Sequence, residues 1–258
     1  MSFPARLALL SDIHANALAL EACLDDARSQ GADQFAFLGD LVGYGAEPVQ
    51  VLDTIMGLAA KGAWVIRGNH DAMAFEPPVT STVIGDSTAA WTHAQLDAGH
   101  CQFIGKLPLV LRHHDVLLVH ASAHEPERWH YVNSEHTAAL SLNAAIAEPL
   151  GDPDVRYVFG GHVHHQTLYF RGTGRGLMAF KPTPGISIPV SSARSWIATV
   201  GSVGQPRDGN TAAMYALFDT QQARLTFRRV AYDHHAAARA IREAGLPEFF
   251  AARLEQGR

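Results

Sequence analysis

Three short apolar runs near the start of the chain each stop at a polar cluster, and the clusters recur at a near-constant interval. Leu7-Ala8-Leu9-Leu10 stops at Ser11-Asp12, Phe35-Ala36-Phe37-Leu38 at Gly39-Asp40, and Ala63-Trp64-Val65-Ile66 at Gly68-Asn69-His70-Asp71. Asp12 and Asp40 lie 28 positions apart, and Asp40 and Asn69 lie 29 apart. That interval is the length of one strand-plus-helix unit, about 30 residues. Between the first two runs, Ala17, Leu20, Leu24 and Ala27 recur in steps of three and four, which predicts one helical face, and Gly31 can cap it. Leu52, Ile55 and Ala59 repeat the pattern. The order β-α-β-α-β implies a parallel sheet with helical crossovers. Ligands bind at the carboxyl edge of such sheets, and here one edge receives polar residues three times in succession.

The pattern continues less regularly. Val116 to Val119 reads as a strand ending at His120, and 121–133, with Trp129 and Tyr131, as a long loop. Ser134 to Ile146 is predicted helical. Val155 to Phe159 is a strand ending at Gly160-Gly161-His162-Val163-His164. Asp86-Ser87 is expected to cap a helix over 88–103. Strands are expected at 168–170, 196–200, 213–218 and 225–230. Residues 171–194, rich in Gly, Pro and Ser, read as a loop or irregular hairpin. His234 to Leu254 reads as helical, with a break at Leu246-Pro247. No linker composition interrupts the chain. The expectation is therefore one α/β domain over 1–258, with a βα half at 1–165 and a β-rich half with C-terminal helices at 166–258.

Composition narrows the function. A formal net charge of −5 argues against a nucleic-acid duplex as partner. Two unpatterned cysteines, Cys23 and Cys101, argue against a disulfide framework or a zinc–thiolate site. No apolar run reaches membrane-spanning length, and Asp12 and His14 interrupt any signal-peptide core, so a cytoplasmic location is expected. The chain holds 15 histidines against 20 Lys and Arg together, which directs attention to metal ligation.

Asp12, His14, Asp40, Asn69, His70, His120, His162 and His164 all follow apolar runs. Carboxylates, imidazoles and a carboxamide without thiolate suit Mn, Fe, Zn, Co or Ni. On an extended chain, Asp12-x-His14 and His162-x-His164 would each point both side chains into one site. Paired divalent ions clamp the attacking and leaving oxygens of an in-line displacement. With only Asp12 and Asp40 to offset their charge, such ions would attract phosphate. Asp40, on the middle of three successive strand ends, is the expected bridge.

Asp12-x-His14, Gly39-Asp40, Gly68-Asn69-His70-Asp71, His120 and Gly161-His162-x-His164 together resemble the signature of the calcineurin-like metallophosphoesterases. Gly201-Ser202-Val203-Gly204-Gln205-Pro206-Arg207-Asp208-Gly209 resembles the small bacterial and archaeal phosphodiesterase-like branch. The resemblance implies two facing mixed β-sheets flanked by helices and a dinuclear metal site across the strand ends. It implies one ion held by Asp12, His14, Asp40 and His164, and a second by Asp40, Asn69, His120 and His162, with Mn favoured. It also implies hydrolysis of a phosphate ester, a phosphodiester or phosphomonoester of a small molecule or nucleotide. A metal-bound hydroxide would attack, and His70 would contact the phosphate and protonate the leaving oxygen. The chain departs from the family's phosphoprotein phosphatases at Gly43 and Tyr44, where those enzymes carry the Asp that orients the histidine and the Arg that binds phosphate. A serine/threonine phosphatase and a non-catalytic metal-binding scaffold of the same fold are the alternative readings.

Other residues admit two readings each. Arg207, in a Gly- and Pro-rich loop, either forks onto a phosphate or is a solvated loop residue. Asp71 either orients His70 or does not face it. Asn16 caps the first helix or contacts substrate, and His124, Trp129 and His130 wall a pocket or lie on the surface.

Overall fold

The computed structural model describes residues 4–79, 88–147, 154–171 and 176–258. Two six-stranded mixed sheets face each other. The first contains β1 (Arg6–Leu10), β2 (Gln34–Leu38), β3 (Trp64–Ile66), β9 (Ser187–Pro189), β11 (Ala213–Asp219) and β12 (Arg224–Val230), in the order β3-β2-β1-β11-β12-β9. The second contains β4 (Val110–His113), β5 (Val116–Val119), β6 (Tyr157–Gly160), β7 (Gln166–Arg171), β8 (Leu177–Phe180) and β10 (Trp196–Val200), in the order β4-β5-β6-β10-β7-β8. β1, β2 and β3 run parallel, as do β5, β6 and β10.

Alternation along each strand explains the uninterrupted apolar runs. Leu7 and Leu9 face the second sheet, where they join Leu118, Phe159 and Ala198. Ala8 and Leu10 face outward, under α1 (Ala17–Ser29) and α2 (Pro48–Ala59), where they join Leu20, Leu24, Leu52 and Ile55. A strand buried on both faces has no position for a polar residue. On the far side, α6 (Glu135–Ala147) covers the second sheet through Ala138, Leu142 and Ala145. Asn16 does cap α1: its Oδ1 accepts the Ala19 N–H at 3.1 Å.

Two local expectations change. After α3 (Asn69–Phe75), the helix expected over 88–103 is two, α4 (Ala89–Gln95) and α5 (Ala98–Lys106), because Asp97 caps a new start by accepting the His100 N–H at 2.8 Å. The Asp86-Ser87 cap lies outside the described residues. Within 171–194, β8 pairs with β7 as a hairpin, while β9 crosses to the other sheet and pairs with β12. Strands from 1–165 and 166–258 share both sheets, with β11 against β1 and β10 against β6. The C-terminal segment forms α7 (His234–Glu243) and α8 (Glu248–Gln256), which pack as a pair over Tyr44. Among the described residues no helix is long and apolar enough to cross a membrane.

Candidate dinuclear metal centre

Six parallel strand ends converge where the two sheets meet. The β10 loop crosses to the β1 loop: Val203 N–H donates to Ser11 O at 2.9 Å, and Gly204 N–H to Asp12 O at 2.9 Å. The β6 loop does the same, with His162 N–H donating to Asp12 Oδ2 at 2.9 Å. This approach requires glycine at Gly161, where a Cβ would sit 2.2 Å from Asp12 Oδ2.

All seven predicted ligands meet there in two groups, six of them buried and Asn69 half-buried. Asp12, His14 and His164 form one, and Asp40, His120 and His162 the other. Asn69 joins the second, its Oδ1 lying 3.2 Å from His120 Nε2. Asp40 Oδ2 lies 3.3 Å from His120 Nε2 and 3.8 Å from His14 Nε2, so a single carboxylate oxygen stands between the groups.

Asp12 and His14 share one group as expected, but His162 and His164 do not, and none of the four is extended. Asp12, His14, Asp40, His162 and His164 all have positive φ, between 49° and 66°. They lie past the strand ends in left-handed turns, a conformation that costs a non-glycine residue about 1–2 kcal/mol and that collects at functional sites. The turn sends His162 to one group and His164 to the other, so this pair divides between the groups.

Hydrogen bonding fixes which ring atoms face inward. His120 Nδ1–H donates to Leu38 O at 2.7 Å, and His164 Nδ1–H to Gln205 O at 2.6 Å. Each neutral ring then presents a bare Nε2 lone pair. His120 Nε2 faces the acceptors Asn69 Oδ1 at 3.2 Å and Asp40 Oδ2 at 3.3 Å, with His162 Nδ1 also at 3.2 Å. His164 Nε2 faces Asp12 Oδ1 and His14 Nε2, both at 3.1 Å. Lone pairs converging at this range require a cation or a proton among them. Backbone carbonyls that hold a histidine's outer nitrogen are the usual support of a metal-ligating imidazole. The buried His14 Nδ1 has no hydrogen-bond partner.

Except at His120, the protonation states suit ligation, which needs neutral imidazole and ionised carboxylate. Burial holds His14 and His164 below the ordinary histidine range and pushes His162 down to about 3. Burial opposes ionisation of Asp12 and Asp40, but the surrounding imidazoles win and hold both carboxyls low. Burial also opposes protonation of His120, yet the adjacent Asp40 carboxylate pushes it up to about 9, so a proton there competes with a cation.

His70 lies beside this centre, nearly buried, with its N–H on Asp40 Oδ1 at 2.8 Å. Asp71 does not orient it. The Asp71 carboxylate instead accepts the N–H groups of Leu41 at 2.8 Å, Val42 at 3.2 Å and Gly68 at 2.8 Å, pinning two loops. Gly43 packs on the histidine, and a Cβ there would sit 2.9 Å from His70 Nδ1.

Tyr44, missed by sequence reasoning as a structural hub, packs against His70 and His14 with ring centroids 4.3 and 4.4 Å away, and stacks on Phe250 of α8 at 4.8 Å. The Arg207 guanidinium lies over the same ring at 5.8 Å. A cation thus reaches the Tyr44 position from the β10 loop of the opposite sheet. Burial is the main cause that holds His70 and His164 low, and the Arg207 charge adds to it at both. Tyr131 stacks on His162 at 4.2 Å, and the Trp129 edge approaches His120 at 5.9 Å. His124, His130 and Tyr131 line a cleft of about 470 Å³ with Ser122 and Glu125, as walls rather than ligands.

A facing pair of mixed sheets thus carries at its strand ends a two-group cluster of Asp, Asn and His with the donor chemistry to hold two metal ions. Residues 6–223 match the calcineurin-like phosphoesterase superfamily domain, and the chain belongs to that superfamily. It resembles the crystal structure of a metallophosphoesterase from Sphaerobacter thermophilus, with 34% identity and a TM-score of 0.86 over 99% of this chain and 100% of that one. An uncharacterised protein of Methanocaldococcus jannaschii is 30% identical over 98% of each chain. A hypothetical protein of Pyrococcus horikoshii shares the fold at 18% identity, with a TM-score of 0.75 over 98% of each chain.

Proposed function

We propose that this chain is a metal-dependent phosphoric ester hydrolase acting on small phosphoesters or nucleotides. The observation that carries this reading is the convergence of bare acceptor atoms in two groups about the single Asp40 Oδ2, with His70 and Arg207 on the rim. Asp12, His14, Asp40 and His164 would hold one divalent transition-metal ion, and Asp40, Asn69, His120 and His162 the other. Mn is favoured, with Fe, Zn, Ni and Co compatible. When bound, such ions polarise phosphoryl oxygens and lower the pKa of water from about 15.7 toward about 7.

The protein's own groups position and protonate. Arg207 offers a planar fork of donors to phosphoryl oxygens. His70 donates a proton to the departing oxygen. Burial disfavours its charged form, whereas an anionic phosphate alongside favours it, so the acid form is reached with substrate bound. Gly43 and Tyr44 speak against a phosphoprotein phosphatase, because no carboxylate can extend from position 43 to orient His70.

Phosphate release from p-nitrophenyl phosphate, its bis ester and a panel of nucleotides, with each metal in turn, tests the reading. Turnover should require His70, with a loss of about 10²–10⁴-fold in His70→Ala on substrates with poor leaving groups. The loss should be smaller with p-nitrophenolate. A metal-loaded protein inert toward every ester would show a scaffold instead.

A further inference from the structure

Two guanidinium groups share one neutral acceptor at the rim of the centre. Arg207 donates to Gln205 Oε1 from Nη2 at 2.8 Å and Nε at 3.2 Å. Arg253, on α8, donates to the same oxygen from Nη1 at 3.2 Å. Gln205 is fully buried, and its backbone carbonyl is the one that orients His164. Arg253 is further held by the Phe249 ring, 4.4 Å from its guanidinium carbon and one turn earlier on the helix.

Neighbouring carboxylates do not neutralise the pair. Asp208 is taken by Arg229, while Glu248 and Glu255 are taken by Arg242. Among the described residues neither Arg207 nor Arg253 has a carboxylate within ion-pair distance. Burial and the Arg207 charge hold Arg253 below the ordinary arginine range. Placing two like charges on one amide oxygen is unfavourable unless an anion joins them. The fixed fork of each side chain also makes the pair a ready receptor for phosphoryl oxygens.

We propose that Arg207 and Arg253 form a bipartite anion subsite that receives a second phosphoryl group of the substrate, next to the one undergoing hydrolysis. This rests on the hydrolase reading and narrows its substrate class to phosphoesters carrying two or more phosphoryl groups. Arg253 is the determinant of that preference. Arg207 serves both groups, because it also lies over Tyr44 beside His70.

The test has two arms. In metal-free protein, calorimetry measures binding of pyrophosphate and of orthophosphate to the parent, Arg253→Gln and Arg253→Lys. Pyrophosphate should bind the parent more tightly than orthophosphate. Arg253→Gln should lose that preference by about tenfold or more, the size of one charge-assisted hydrogen bond, and Arg253→Lys should regain part of it. Equal binding of both anions by the parent, or an unchanged preference in Arg253→Gln, overturns the subsite. In metal-loaded protein, the ratio of kcat/KM for adenosine diphosphate over adenosine monophosphate should fall by a similar factor in Arg253→Gln, at an unchanged melting temperature. A ratio that stays constant while both nucleotides are hydrolysed rejects the subsite and leaves the hydrolase reading standing. A parent that binds pyrophosphate preferentially but hydrolyses nothing rejects the hydrolase reading and leaves the anion subsite standing.

Discussion

Adding one methyl group at Gly43 should disturb both the backbone and the proposed acid. Gly43 has φ of +89°, a region that costs an L-residue about 1–2 kcal/mol. The new Cβ would meet His70 Nδ1 at 2.9 Å, its Cβ at 3.0 Å and its Cγ at 3.1 Å. Carbon contacts are optimal at about 3.5–4.0 Å, so the ring must shift. Overpacking of this kind costs about 1–3 kcal/mol. Gly43→Ala should therefore lose about 2–5 kcal/mol, which at about 2–4 °C per kcal/mol lowers the melting temperature by roughly 4–20 °C. A double-mutant cycle separates the two costs, because His70→Ala removes the ring but leaves φ untouched. In that background Gly43→Ala should cost only the backbone portion, giving a coupling of about 1–3 kcal/mol. Turnover of poor-leaving-group esters should fall at least tenfold in the single variant, since an ångström of misplacement can cost about 100-fold. Equal destabilisation in both backgrounds would refute the packing of Gly43 on His70. Parent-like stability would refute the backbone argument as well.

Other perturbations read other parts of the molecule. Asp40→Asn should weaken both metal ions together, since its Oδ2 stands between the groups; metal analysis after dialysis checks this, and loss of one ion alone contradicts a bridge. Arg207→Ala should keep metal content and lower kcat/KM by about 10- to 150-fold, the equivalent of 1.5–3 kcal/mol, with Arg207→Lys recovering part; parent-like rates on every ester would leave Arg207 an ordinary loop residue. On the outer face, Asp26 accepts Arg228 Nη2 at 2.8 Å and Nε at 3.0 Å and the Tyr215 hydroxyl at 2.6 Å. Burial opposes its ionisation, but these donors outweigh it and hold the carboxyl below its ordinary value. A depressed folded-state pKa gives stability that is present above the unfolded value of about 3.9 and lost as pH falls through the folded one. Asp26→Asn should thus cost about 1–2 kcal/mol at pH 7, moderated by solvent screening, and the difference should shrink below pH 4 in denaturant titrations. A gap that widens in acid would reverse the assignment.

The strand-and-cluster rhythm was legible in the sequence because strands buried on both faces leave polar residues nowhere to go but the ends. That is why all seven candidate ligand positions and His70 could be marked by their place after an apolar run. Period and spacing carry no information about how a loop turns past the strand. The division of His162 and His164 between two groups depends on φ values of 66° and 56°, which an extended reading reverses. The break between α4 and α5 was equally hidden, since the periodicity of 88–103 gives no weight to a single Asp97 side chain that can restart a helix.

The rim was least legible, and its chemistry shows why. Gly43 and Tyr44 remove a carboxylate and a guanidinium from the β2 loop, and a linear comparison of motifs registers only the loss. In three dimensions a cation returns from the other sheet, because Arg207 follows β10 and β10 ends beside β6 at the same edge. Arg253 had no sequence signal at all. It lies on a short helix whose pattern describes only its packing against α7, and its partner Gln205 is 48 positions away. Yet Gln205 connects the rim to the centre: one of its carbonyl oxygens fixes the His164 tautomer and the other gathers two guanidiniums. Any shift of that residue would therefore move a candidate metal ligand and both guanidiniums together, which couples the charge at the rim to the geometry at the core of the site.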